Sequence, residues 1–230
     1  MPRALLLLLL ASAGAVAAPV PKDVAERERL AAVWGTTAGR GEFALTRGQL
    51  TLRSKGDGPV YNSKLPEQRT MPHTLRTVTG DFEVSVRVYD APGPDPKAKI
   101  DRAPGSHFAS AGLFVAGGDC RLQVDYWQSY NTRNGVTDKA PARRIWVDAW
   151  FATGSIVSLL APVEDGAPEF RITRRGKSVS MSYRFGGGQW SAPHTPRVAL
   201  EFPETVAVGV SMSHSTYQTL HATFDRFAVT

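Results

Sequence analysis

Phe82-Glu83-Val84-Ser85-Val86-Arg87-Val88 places an apolar residue at every even position and a polar one between. Successive side chains of a strand point to opposite faces, so this run makes a strand with one buried face and one wet face. Runs of similar period cover residues 50–53, 74–78, 111–116, 120–127, 144–151, 155–160, 170–174, 178–185, 198–202, 206–212 and 220–229. Clusters of Gly, Pro, Asn and Asp separate them. Arg175-Gly176-Lys177 reads as a hairpin turn, because glycine takes a positive φ without strain. Gly186-Gly187-Gly188 reads as a second turn. Helical spacing is confined to residues 19–34. There Asp23 precedes Glu26 by three, as in a capping box, and Leu30, Val33 and Trp34 form a short apolar stripe. About a dozen strands after one short helix point to an all-β fold, an antiparallel two-sheet jelly-roll sandwich.

The first 18 residues, Met1 to Ala18, have the layout of a secretory signal peptide: Arg3, then a leucine-rich run, then Ala15-Val16-Ala17 before the cut. The expected organisation is a leader over 1–18, a lead and short helix over 19–34, and one sandwich domain over 35–230. The expected location is secreted or periplasmic, with no membrane span in the mature chain. A single cysteine excludes an internal disulfide and a cysteine-based zinc site, so the stability of an exported chain must come from its core. A hydrophobic content of 42% excludes a disordered chain and supplies that core.

Several stretches resemble one family. Gly80 to Val88, Ser110-Ala111-Gly112-Leu113-Phe114-Val115, Phe170 to Gly176, and Val208-Gly209-Val210 followed by Ala222-Thr223-Phe224-Asp225-Arg226-Phe227 stand in the order of its strands. Together they span roughly residues 70 to 230. The chain resembles the concanavalin A-like sandwich family described as domain of unknown function 1349 (DUF1349). The resemblance implies a jelly roll with a convex and a concave sheet. The wider fold includes lectins, laminin G-like modules and glycoside hydrolases, so fold alone leaves function open.

Two strands carry the candidate site. One face of residues 121–127 holds Arg121, Gln123, Asp125 and Trp127, and one face of 144–150 holds Arg144, Trp146, Asp148 and Trp150. The opposite faces hold Leu122, Val124 and Tyr126, and Ile145, Val147 and Ala149, which suit a core. If the strands pair, three tryptophans, two carboxylates and two arginines share one surface. Aromatic rings stack on the apolar faces of sugars, and carboxylates and arginines bond hydroxyls. The expected function is a non-catalytic carbohydrate-binding module using the concave sheet, with a glycan or cell-surface polysaccharide as partner. The plainer alternative is that the tryptophans fill gaps and the charges form surface ion pairs worth about 0–1 kcal/mol. A glycoside hydrolase using Asp125 and Asp148 is the enzymatic alternative; its carboxyls must lie about 5–5.5 Å or 6.5–9.5 Å apart. A third is an adhesion module meeting protein through the long loops 90–107 and 130–143.

Other chemistry is sparse. His73, His107, His194, His214 and His221 show no metal-ligand spacing, so neither metal nor cofactor is expected. A rim calcium on Asp90, Asp95 and Asp101 stays open, as does a rim pocket lined by His107 and His214. Cys120 beside Asp119 reads as an unreactive thiol. The net charge is +6, with Arg133, Lys139, Arg143 and Arg144 near one loop and Arg174, Arg175 and Lys177 on a turn. Acidic residues lie among them and export separates the chain from nucleic acid, so no nucleic-acid partner is expected.

Overall fold

The structure is a computed structural model and describes residues 24–60, 70–100, 106–133, 136–163 and 166–230. The expected leader and Asp23 lie outside these residues. Two antiparallel sheets form a sandwich. The strands of the larger sheet are β1 (Thr36–Ala38), β4 (His73–Thr79), β6 (His107–Gly117), β7 (Cys120–Tyr130), β10 (Ala142–Phe151), β11 (Gly154–Pro162) and β14 (Thr205–His214). These seven lie in the order β1-β4-β14-β6-β7-β10-β11. The other sheet comprises β2 (Glu42–Thr46), β3 (Gln49–Arg53), β5 (Phe82–Asp90), β12 (Pro168–Arg175), β13 (Ser178–Phe185) and β15 (His221–Val229). Its six strands lie in the order β13-β12-β5-β15-β3-β2. The all-β sandwich expected from the alternation is the fold observed.

The core lies where the alternation places it. Val84, Val86 and Val88 of β5, Phe170 and Ile172 of β12, and Leu50 and Leu52 of β3 face Leu113, Leu122, Val124, Ile145, Val147 and Val210 across the sandwich; all are buried. Burying one such side chain contributes about 1.5–3 kcal/mol. Gly176 turns the β12–β13 hairpin at φ 56°. Arg226 holds φ 54° where β15 shifts register between Asp225 and Ala228, a bulge in the pairing with β5.

Three details differ from the sequence reading. Helix α1 (Val24–Trp34) buries Leu30 and Trp34 and leaves Val33 44% exposed, so its seam is i,i+4 alone. The expected capping box involves Asp23, outside the described residues; the Glu26 carboxylate accepts the amide of Leu45 at 3.0 Å and ties the helix to β2. Residues 198–202 are not a strand. They belong to an irregular strap between β13 and β14. Arg174 is no surface cation: it is 8% exposed, and its guanidinium donates to Gly176 O at 2.9 Å, Pro203 O at 2.6 Å and Glu204 O at 3.3 Å. A buried guanidinium satisfies strap carbonyls that no ladder reaches. Within the second long loop, β8 (Thr132–Arg133) pairs with β9 (Val136–Thr137).

Candidate functional site on the seven-stranded sheet

β7 and β10 pair antiparallel, with Trp127 opposite Arg144, Asp125 opposite Trp146, Gln123 opposite Asp148 and Arg121 opposite Trp150. All eight predicted residues therefore share the outer face, because Leu122, Val124, Ile145 and Val147 take the inner one. The sequence reading treats that face as uniformly wet, and here the structure differs. Arg121, Gln123 and Asp125 are 1%, 1% and 2% exposed. Trp127, Trp146, Asp148 and Trp150 are half-buried and Arg144 is exposed.

The buried part is a chain of polar contacts. Arg121 donates to Gln123 Oε1 through Nε at 3.1 Å and through a terminal nitrogen at 2.6 Å. Gln123 Nε2 donates to Asp125 Oδ2 at 2.6 Å. The Arg121 guanidinium lies 3.9 Å from the ring centroid of Phe114, a desolvated cation–π contact worth up to about 2 kcal/mol. His73 meets the same ring edge-on at 6.1 Å, and the Met71 sulfur stands 4.0 Å from Arg121. Gly112, opposite Asp125 on β6, makes room for the carboxylate: a Cβ there would strike Val124 O and Asp125 Oδ1. Phe114, His73 and Met71 come from distant segments, and sequence alternation gives no signal that they reach this face.

The two carboxyls titrate high. Burial pushes Asp125 up to about 8, and the neighbouring Asp148 adds to the rise against Gln123, Arg121 and Ser110. Burial pushes Asp148 up to about 6, opposed by the Trp146 indole and Arg121. Near neutral pH the pair carries one proton, chiefly on Asp125, so one carboxylate balances the Arg121 cation. Removing two charges from water costs far more than removing one balanced pair.

The aromatic part is a stack. Phe108 lies 4.2 Å from Trp127 at 11°, and Trp127 lies 4.7 Å from Trp146 at 17°. These spacings match the distance between adjacent strands, so the rings stand on edge across β6, β7 and β10. Both faces of Trp127 are closed by protein rings. That corrects its expected role as a stacking platform. One face of Trp146 is likewise closed, and in the ladder Trp146 stands opposite Leu159 of β11. Trp146 Nε1 donates to Asp148 Oδ1 at 2.9 Å, which fixes the ring. Trp150 follows four residues along, its ring 5.9 Å from the Arg121 guanidinium. On β11, Val157 is 48% exposed opposite Asp148, and exposed Ser155 lies opposite Trp150.

The remaining candidates sit elsewhere. Asp90 accepts from His221 at 2.9 Å, Asp95 accepts the Lys97 amide at 2.8 Å, and Asp101 lies outside the described residues. Among the described residues no three His, Cys, Asp or Glu side chains gather as metal ligands. His107 donates from Nε2 to Ala98 O at 2.9 Å, and His214 is fully buried on the inner face of β14. Cys120 is 8% exposed, and burial raises its thiol. The sequence reading missed a cavity of about 280 Å³ under the strap, lined by Arg174, Lys177, Ala199, Leu200, Glu201 and Phe202.

No family model matches the chain, and no curated protein matches it. Solved structures do. A functionally unknown protein from Saccharomyces cerevisiae is similar at TM-score 0.60 and 14% identity, over 85% of this chain and 95% of its own. The alginate lyase from Klebsiella pneumoniae is similar at TM-score 0.51 and 10% identity, over 89% and 88%. A variant of the GH43 protein BlXynB from Bacillus licheniformis matches at TM-score 0.50 and 12% identity, over 84% of this chain but 38% of its own. Sheet order, register and these likenesses define the protein's class as an antiparallel two-sheet β-sandwich.

Proposed function

We propose that this chain is an exported, non-catalytic glycan-binding module on a sandwich that resembles DUF1349, and that it binds on the outer face of the seven-stranded sheet. The carrying observation is Trp146: the ring is half-buried, one face is locked against Trp127, and its indole N–H is held by Asp148. A preset aromatic face costs little entropy to use, which is what stacking on a sugar ring requires. Trp150, Asp148, Val157 and Ser155 complete the seat. Arg121, Gln123 and Asp125 support it from beneath rather than touching ligand. The alginate lyase among the similar structures shares the fold and accords with this reading. The leader pattern of residues 1–18 supports export.

Hydrolysis by Asp125 and Asp148 is the weaker reading. A general acid must touch the glycosidic oxygen, and Asp125 is 2% exposed. A glycan array with the wild type and with Trp150→Ala and Trp146→Ala tests the binding reading. Loss of the hits in either variant is the expected result; identical profiles reject this seat. Reducing-sugar release from any hit would reinstate the enzyme.

A further inference from the structure

The seat also has a charge and a length, and both bear on which glycan fits. Resting on the glycan-binding reading above, we propose that the seat selects an uncharged, linear oligosaccharide lying along β10 and β11, and that Asp148 excludes acidic sugars.

Length follows from the strand. Trp146 and Trp150 share a face four residues apart, about 13 Å along the chain. One sugar ring does not reach both, so only an oligosaccharide engages the two indoles. The direction follows from the strand. Trp146, Asp148 and Trp150 follow one another along one face of β10, with exposed Val157 and Ser155 of the edge strand opposite Asp148 and Trp150. The centre of the sheet is closed to ligand by Phe114, Arg121 and Met71, all buried.

The charge is local. Asp148 lies between the two tryptophans on the lane and is half-buried. On β7 it faces Gln123, opposite, and Arg121 and Asp125, diagonal; all three are buried. On β10 its neighbours are Trp146 and Trp150. Strand β11, Gly154–Pro162, has no charged residue at all. The exposed cation on this face, Arg144, stands beyond Trp146 and outside the lane. Arg121 is occupied by Gln123 and Phe114 beneath the surface. Among the described residues, a uronate seated between the two tryptophans therefore meets a carboxylate with no exposed cation beside it. An uncharged sugar instead offers Asp148 a hydroxyl donor, a charge-assisted hydrogen bond. The chain's net charge of +6 points the other way, toward polyanions, so the local and global charges make opposite predictions.

The test is calorimetric titration of the full mature chain at pH 8, where Asp148 is ionised. The ligands are xylo-, cello- and manno-oligosaccharides of one to six units, and oligogalacturonate and oligo-alginate of the same lengths. The expected result is binding of at least one uncharged series, strengthening about tenfold or more from one unit to four, with uronates at least about tenfold weaker. Asp148→Asn, confirmed folded by its melting curve, narrows the gap between uronate and uncharged ligand. Added salt strengthens uronate binding to the wild type by screening the repulsion. Uronates bound as tightly as uncharged chains through Trp150, or an unchanged ratio in Asp148→Asn, overturn the selectivity while leaving the glycan reading standing. Binding of neither class overturns both.

Discussion

The indole N–H of Trp146 donates to the carboxylate of Asp148, two residues further along the same strand, at 2.9 Å. An aromatic face and a charged acceptor are thereby locked together on one side of a sheet. Held from behind by Trp127, this pair turns a row of alternating residues into a shaped surface.

The stack behind that pair is structural, and Trp127→Ala tests it. Trp127 loses contacts on both ring faces when truncated, with Phe108 and Trp146. A cost of about 2–4 kcal/mol in urea unfolding is expected. Trp150→Ala, with no stacked ring partner among the described residues, costs less. Equal costs at the two positions would mean that the stack contributes nothing beyond burial.

Asp125 makes stability depend on pH in a defined direction. Its folded pKa, about 8, lies above the ordinary carboxylate value, so the folded chain binds the proton more tightly than the unfolded one. The contribution is complete below about pH 4 and is lost as pH rises toward 8. Between those limits one bound proton changes stability by at most about 1.4 kcal/mol for each step of one in pH. Asp125→Asn, which keeps an acceptor for Gln123 and cannot ionise, removes this slope. Urea midpoints at pH 5 and pH 8.5 check it: the wild type falls relative to the variant at the higher pH. Asp148 adds a smaller slope of the same sign between about pH 4 and 6 in both proteins.

His214 works in the opposite sense. Burial holds its imidazole down to about 4, so the unfolded chain takes up a proton that the folded chain refuses. Its contribution is complete above about pH 6.5 and is lost as pH falls toward 4. His214→Leu, which puts an apolar side chain on the inner face of β14, removes this contribution, so stability falls more steeply with rising pH between pH 4 and 6.5 than in the wild type. An unchanged slope there would place the acid sensitivity elsewhere.

Arg174 pins the strap between β13 and β14 through the carbonyls of Pro203 and Glu204. Arg174→Ala removes the guanidinium's bonds to Gly176 O, Pro203 O and Glu204 O, at about 1–3 kcal/mol. For a chain of this size that lowers Tm by roughly 3–10 °C. Arg174→Lys does not restore it, because one ammonium cannot span the carbonyls that the planar fork reaches. Full rescue by lysine would show that charge alone matters.

Much of this was legible in the order of residues. The alternation in 121–127 and 144–150 separates Leu122, Val124, Ile145 and Val147 from Arg121, Asp125, Trp146 and Asp148, and the structure keeps that separation. A strand's period of two makes facing a local property, which a sequence displays directly. The strap was not legible in the same way. Residues 198–202 carry an apolar run, but no neighbouring strand offers them a ladder, so they stay irregular.

By itself, then, the sequence determined the two-sheet architecture, the inward and outward sets of each strand, and which eight residues share a face. Tertiary structure alone decided which of those eight meet solvent. Met71 and Phe114 arrive from other segments against the buried Arg121, His73 packs on Phe114, and Phe108 closes the face of Trp127 that Trp146 does not. Burial depends on contacts between residues distant in the chain, and those same contacts set the charge of the carboxyls and leave Trp146, Asp148 and Trp150 half-buried.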